Sequence, residues 1–211
     1  LGHGQVALKP SNLGYTLVGA SLLWVGWIGF NAGSAGAANG QAGMAFLATQ
    51  LAAAAGTLAW MLAEWLLRRR PTLLGMCSGA LAGLVAVTPA SGLVTPASAV
   101  LIGLVAGVGC LWGATGLKAW LGVDDSLDVF GVHAVGGLLG ALLTGVLADP
   151  AIGGAQGSLA TQALACAATL AYSAAGTAVV LWLVGQLLTL RITPEQEALG
   201  LDWSQHAERL E

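Results

Sequence analysis

The sequence predicts an all-α integral membrane protein with about six transmembrane helices. Hydrophobic residues make up 56% of the chain, charged residues only 8%, and the mean hydropathy is +0.80. In soluble domains, roughly a quarter of the residues are charged. Six apolar segments lie near the ~20-residue length that a helix needs to span a bilayer. They are residues 13–30, 43–66, 72–88, 98–117, 128–148 and 160–190.

The seven basic residues are distributed in a way that predicts the topology. Lys9 precedes the first segment, and Arg68, Arg69 and Arg70 lie between the second and third; Lys118 lies between the fourth and fifth, and Arg191 and Arg209 follow the sixth. Short cytoplasmic loops collect basic residues. We therefore expect a multi-pass protein of the cell (inner or plasma) membrane with both termini in the cytoplasm. Residues 1–190 would form the membrane domain and 191–211 a cytoplasmic tail, and we expect no signal peptide.

Composition and spacing argue against several classes of function. The net charge of −3, mostly from the tail, gives no basis for binding nucleic acid. Cys77, Cys110 and Cys166 all lie inside apolar segments and share no metal-type spacing, so they are interpreted as small buried residues. We expect no metal, no cofactor and no catalytic residues.

Glycine pairs four residues apart predict close helix packing, because small residues let helix backbones approach where lipid provides no hydrophobic drive. The pairs are Gly29 and Gly33, Gly79 and Gly83, Gly103 and Gly107, Gly109 and Gly113, and Gly136 and Gly140. Glu64 and Arg68 are also four residues apart, with the acid first, and predict an ion pair that anchors the second helix at the membrane interface.

Residues 124–137, DDSLDVFGVHAVGG, hold the only histidine inside an apolar segment. His133 would lie in the hydrocarbon zone, where an ionisable side chain is costly and marks a functional site by default. The alternative interpretation is an interhelical hydrogen bond. Helical spacing places Val129, His133, Gly136 or Gly137, Gly140 and Thr144 along one stripe.

The first segment places four further candidates on one helical face: Leu23, Trp27, Phe30 and Ser34. Aromatic faces attract cations, and a hydroxyl oxygen accepts a hydrogen bond from an N–H donor. An apolar stretch of a path is costly for a charged solute. A neutral solute can pass, and His133 offers it a nitrogen lone pair. These features suit a small cation that donates hydrogen bonds better than a metal ion. By themselves, the residues indicate a path for a small solute.

The motif at 124–137 resembles the signature of the ammonium transporter (Amt/Mep/Rh) family, nearest its Amt branch. The segments WIGFNAGSAG at 27–36, SGALAGLVAVTP at 78–89 and GLD at 200–202 resemble the same family in the same order. The resemblance implies a trimeric fold of eleven helices, made of two inverted five-helix repeats and a last helix. This chain would correspond to the second repeat and the last helix.

The resemblance also implies roles for individual residues. Phe30 would be one of two stacked gating phenylalanines, Ser34 a ligand of the outer ammonium site, and His133 one of two paired pore histidines; Leu23 and Val129 would line the throat, with Trp27 at the same mouth and Asp128 and Thr88 as structural positions near the pore. The family's other pore histidine, gate phenylalanine and outer-site tryptophan belong to the first repeat and have no counterpart here. Ala134 and Ala207 stand where glycine is usual.

The function implied by the resemblance is ammonium transport. Ammonium would bind outside, lose its proton and cross as ammonia, in a homotrimer within the lipid bilayer whose tail contacts a PII-type signalling protein. Three other hypotheses remain: an ammonium sensor of the same fold, a non-functional truncated fragment, and an intramembrane enzyme using His133 with Asp128. The last is the weakest, because a spacing of five residues places the two side chains poorly on one helical face.

Overall fold

The computed structural model describes residues 12–154 and 156–208. The helices are α1 (Leu13–Gly33), α2 (Gly40–Arg68), α3 (Leu73–Val87), α4 (Pro96–Trp112), α5 (Lys118–Leu121), α6 (Val135–Leu147), α7 (Pro150–Gly153), α8 (Leu159–Gly185), α9 (Pro194–Leu199) and α10 (Leu201–His206). A 3₁₀ turn, Thr88–Ala90, follows α3, and π turns occupy Gly113–Leu117 and Phe130–Ala134. Lys9 and Arg209, used above for topology, lie outside the described residues.

Six helical segments are long and apolar enough to cross a membrane, which confirms the predicted fold class. They are Leu13–Gly33, Gly40–Arg68, Leu73–Ala90, Pro96–Leu121, Phe130–Leu147 and Leu159–Gly185. The predicted bounds differ from these by a few residues at most ends. The two π turns, inside the fourth and fifth segments, were not predicted, since hydropathy does not report the hydrogen-bond register of a helix.

Polar residues cap the starts of four of the spanning helices. The side-chain oxygens of Asn12, Asn39, Thr72 and Thr95 accept hydrogen bonds from backbone N–H groups three residues ahead, at 2.9, 3.0, 3.0 and 3.2 Å. Such bonds satisfy N–H groups that the helix itself leaves unpaired.

The core of the compact unit formed by residues 12–166 is a close packing of α2, α3 and α4. Ala52 of α2 is fully buried between two glycines. A Cβ added to Gly83 of α3 would lie 2.7 Å from the carbonyl carbon of Ala52, and one added to Gly103 of α4 would lie 2.8 Å from its Cα. Only glycine leaves room for the backbones at these two crossings.

The predicted glycine pairs therefore have two outcomes. Gly79, Gly83, Gly103, Gly107, Gly109, Gly113, Gly136 and Gly140 all lie where an added Cβ would meet a neighbouring helix, as predicted. The prediction for Gly29 and Gly33 is wrong within this chain, because nothing lies within 4 Å of a Cβ added at either position. That part of α1 faces open space.

Three side-chain hydrogen bonds attach α1 to the core. Trp24 Nε1 donates to Gln50 Oε1 of α2, and Asn31 Nδ2 donates to Thr49 Oγ1 of α2 at 3.0 Å. Trp27 Nε1 donates to Thr88 Oγ1, at the end of α3, at 2.8 Å. Polar side chains join helices in this way inside membranes, at roughly 0.6–2 kcal/mol each.

The predicted ion pair between Glu64 and Arg68 is confirmed, with Oε1 and Nη1 3.0 Å apart. Its setting differs from the predicted interfacial anchor, since Glu64 is only 2% exposed. Glu64 Oε2 accepts hydrogen bonds from Thr72 N and Thr72 Oγ1, both at 2.9 Å. The buried carboxylate thus joins the end of α2 to the start of α3.

Residues 167–208 belong to a second compact unit. At the start of α9, Thr193 Oγ1 accepts from Gln196 N, and Thr193 N donates to Gln196 Oε1. This reciprocal pair is a capping box. Arg191 and Glu197 form an exposed ion pair at 3.6 Å, so the polar tail has defined local structure.

The glycine contacts yield a test of the core. Gly83→Ala should lower the free energy of unfolding by about 1–3 kcal/mol, because the new methyl group must push α3 away from the backbone of α2. Gly26→Ala is the matched control, since a Cβ there meets nothing within 4 Å. Thermal unfolding of both purified variants in detergent measures the difference. Equal stability of the two variants would contradict the packing described at Ala52.

Candidate functional site

The C-terminal part of α1 carries an aromatic pair. The rings of Trp27 and Phe30 meet edge to face, with centroids 6.1 Å apart and planes at 81°. Trp27 is held on its other side by its hydrogen bond to Thr88, and it packs against the core. Phe30 is 61% exposed, so a fixed indole supports a phenyl ring whose remaining surface is open.

Ser34 lies one turn beyond Phe30, at the end of α1. Its Oγ donates to the carbonyl oxygen of Phe30 at 2.7 Å. Because the hydroxyl hydrogen is directed to the backbone, the lone pairs of Oγ stay available to accept a hydrogen bond from another donor. The residue is exposed, so such a donor can approach from outside this chain.

His133 lies within the π turn Phe130–Ala134. Its neighbours Gly131 and Val132 are buried, whereas His133 is exposed. The backbone of this turn touches the other π turn, since a Cβ on Gly131 would lie 2.6 Å from Ala114 Cα. Cys110 Sγ contacts the Val132 carbonyl oxygen at 3.5 Å. One side of the turn is therefore packed, and the opposite side presents the imidazole.

The predicted stripe along this helix is wrong in part. Val129 is 53% exposed and His133 is also exposed, but Gly136, Gly140 and Thr144 are buried. A Cβ on Gly140 would lie 2.7 Å from the carbonyl carbon of Ala86 in α3. The π turn explains the difference, because its extra residue shifts the register of the side chains before it relative to those after it.

Two residues that sequence reasoning missed hold the start of this segment. Asp125 Oδ1 accepts from Val129 N at 2.9 Å, and Asp125 Oδ2 accepts from Phe130 N at 2.9 Å. Lys118 Nζ donates to the Asp125 carbonyl oxygen at 3.0 Å and forms an ion pair with Asp128. An aspartate just before a helix start is a known capping signal that would have identified Asp125. No comparable sequence signal indicated that Lys118 would pair with Asp128.

A cavity of about 530 Å³ lies between α1, α3 and the loop before His133. Leu23 and Asp128 line it together, with Ser78, Ser126 and Thr16 supplying hydroxyl groups. Phe30, Val129 and His133 are not among its lining residues. The structure thus brings Leu23 and Asp128 to one cavity, Trp27, Phe30, Ser34 and Thr88 to one end of α1, and His133 to a separate exposed position.

The side chains at these positions differ in their chemistry. The aromatic surface of Phe30 and the oxygen of Ser34 suit a cation with N–H groups. His133 offers a group that exchanges protons. Within the described residues, no three His, Cys, Asp or Glu side chains are grouped so that they could hold a metal ion.

Comparison with known proteins agrees with the resemblance. The model of the Ammonium Transporter Family matches residues 2–210. An ammonium transporter of Bacillus subtilis is 45% identical over 96% of this chain, and Amt1 of Archaeoglobus fulgidus is 40% identical over 98%. These alignments cover 52% and 54% of the two relatives, so the chain spans about half the length of the curated relatives it matches.

Solved structures share the fold. The crystal structure of Saccharomyces cerevisiae Mep2 superposes with a TM-score of 0.83 at 36% identity, covering 92% of this chain and 47% of that one. A structure titled Sensor Amt Protein superposes with a TM-score of 0.86 at 32% identity, covering 92% and 49%. With six candidate spans and a family match over nearly its whole length, the chain is a multi-pass membrane protein of the ammonium transporter family.

Proposed function

We propose that this chain takes part in ammonium transport across the cell membrane and forms one side of the path. The observation that carries the proposal is the bare imidazole of His133, which a packed π turn presents from a segment of otherwise apolar and small residues. An ionisable side chain in such a segment is costly unless it serves a pathway or meets a partner. No partner for the ring is found among the described residues.

Ammonium would first bind at the outer end of α1. The open face of Phe30 supplies a cation–π contact, and the free lone pairs of Ser34 Oγ accept an N–H bond. Ammonium has four N–H donors and no acceptor, so it can use both groups at once. Trp27 takes the role of a support for Phe30, held in place through Thr88.

Beyond this site the lining favours a neutral species. Leu23 and Val129 are 50% and 53% exposed on the sides of α1 and of the segment before His133. Apolar side chains give a cation nothing to replace its water, so ammonium would give its proton to water at the outer site and ammonia would pass. The neutral imidazole of His133 can accept a hydrogen bond from ammonia on one nitrogen and donate one from the other.

The remaining lining would come from outside this chain. Because the chain matches about half of its relatives, and because its candidate residues are exposed, we infer that a further family segment faces them. The working assembly would be a homotrimer in the bilayer with the tail, residues 191–208, on the cytoplasmic side. A PII-type signalling protein is the partner we propose for that cytoplasmic face.

A second candidate is ammonium sensing, favoured by the similarity to the structure titled Sensor Amt Protein. Sensing needs the same outer site but no conduction past His133. A non-functional fragment would do neither. Methylammonium uptake distinguishes transport from the other two possibilities, and ammonium binding to the purified protein distinguishes a sensor from a non-functional fragment.

His133→Ala tests the transport proposal in the protein expressed at its full encoded length. Methylammonium uptake should fall by roughly 10- to 100-fold, or its selectivity over other cations should change, because the path loses its proton-exchanging group. Protein level should stay within about twofold, since exposed positions contribute little to stability. Val146→Ala, at a 60% exposed position of α6, is the matched control. Unchanged uptake and selectivity would contradict a pathway role.

Sidedness is tested separately with single cysteines in a cysteine-free background. Cysteines at Arg70 and Gln205, both exposed positions, should resist a membrane-impermeant thiol reagent in intact cells and react after permeabilisation, because basic loops stay in the cytoplasm. A cysteine at Ala37, in the connection between α1 and α2, should react in intact cells. The reverse pattern would invert the proposed orientation.

A further inference from the structure

Lys118 makes two contacts with the loop that precedes His133. Its Nζ forms an ion pair with Asp128 and donates to the Asp125 carbonyl oxygen at 3.0 Å. The side chains of Lys118 and Asp128 are 28% and 32% exposed. Partial burial strengthens such a pair relative to one at the surface. One amine therefore fastens two points of the loop.

The backbone at Asp128 needs such support. Its φ is +56°, in the left-handed region that non-glycine residues seldom occupy. Conformations of this kind cost about 1–3 kcal/mol and persist where the surroundings hold them. The backbone carbonyl oxygen of Asp128 also accepts a hydrogen bond from Val132 N at 2.8 Å. The position of Asp128 therefore determines where the helical hydrogen bonds of the next segment begin.

Asp125 completes the start of the segment. Its carboxylate accepts from Val129 N and Phe130 N at 2.9 Å and from Gly131 N at 3.3 Å. These three N–H groups would otherwise be unpaired. The Lys118 amine holds the carbonyl of the same residue, so the capping carboxylate and the amine act on one loop.

The far side of the π turn is fixed by a different contact. The carbonyl oxygen of Gly131 would lie 2.7 Å from a Cβ on Gly113, and Gly113 begins the π turn that ends directly before Lys118. The two π turns thus meet at Gly113 and Gly131, and the residues that flank them meet at Lys118 and Asp128. His133 lies within the turn that these two contacts fix.

We infer that Lys118 is a positioning residue for His133, acting through Asp128 and the carbonyl of Asp125. This inference rests on the proposed function, in which the imidazole lines the path. A shift of one residue in a helical turn rotates a side chain by about 100° and moves it by about 1.5 Å. Without the amine, the loop loses its contacts at Asp128 and at the Asp125 carbonyl oxygen, and the imidazole leaves its place on the exposed side.

A double-mutant cycle in the protein expressed at full encoded length tests the inference. The variants are Lys118→Met, Lys118→Arg, His133→Ala, and Lys118→Met combined with His133→Ala. Lys118→Met should lower methylammonium uptake about tenfold and change its pH profile, whereas Lys118→Arg should stay within about twofold because it keeps the charge. In the His133→Ala background, Lys118→Met should add less than about twofold.

Arg70→Met is the matched control, because it removes a positive charge from another basic connection and Arg70 makes no ion pair with the described residues. Its uptake should equal that of the unmodified protein. Lys118→Met with unmodified uptake would overturn the inference. So would equal losses for the Met and Arg variants, or a full multiplicative loss in the His133→Ala background, which is what a general structural role gives.

Two further measurements keep the test decisive. If Lys118→Met fails to accumulate, Asp128→Asn replaces it in the same cycle, since it removes the charge of the pair with little change in shape. If the unmodified protein takes up no methylammonium, the proposed function fails instead. Diethyl pyrocarbonate labelling of His133, read by peptide mass spectrometry, then tests positioning directly: Lys118→Met should change the labelling rate severalfold, and an unchanged rate would refute the inference.

Discussion

The close approach of α3 and α4 to the backbone of α2 at Ala52 is the contact on which the positions of α1 and α6 depend. Gly83 and Gly103 make room for it, and a single methyl group at either position would overlap main-chain atoms. Lipid tails are as apolar as apolar side chains, so these side chains gain little by moving from lipid into a helix contact. Helix association therefore depends on how closely backbones and small side chains pack. The three helices therefore behave as one rigid platform.

Both segments that carry candidate site residues are placed by that platform. Helix α1 lies against it through hydrogen bonds from Trp24, Trp27 and Asn31, while α6 packs on α3 through Gly136 and Gly140. Trp27 therefore has two functions, since the indole that attaches α1 through Thr88 also supports the ring of Phe30. Changes in the packing of α2, α3 and α4 would move the Trp27–Phe30 pair and the segment that holds His133 together.

Sequence reasoning predicted the spans and most of the glycine contacts of the core, because both follow from hydropathy or helical spacing. It missed the π turns. These turns meet at Gly113 and Gly131, which are distant in the sequence, and neither glycine carries a local signal of a π turn. It also treated Glu64 as interfacial, since burial by Thr72 and the turn to α3 is a tertiary effect. The roles given to His133, Phe30 and Ser34 remain predictions.

The exposed surface of α8 can face lipid, whereas the exposed side chain of His133 cannot do so without cost. No residue of Leu159–Gly185 is buried, but that helix contains no acidic, basic or histidine side chain, so lipid can cover it at little cost. An imidazole facing hydrocarbon would lose its hydrogen bonds with water and gain none. The packed turn beneath His133 prevents the ring from folding back into the core. The side that presents it therefore requires protein or water as its neighbour.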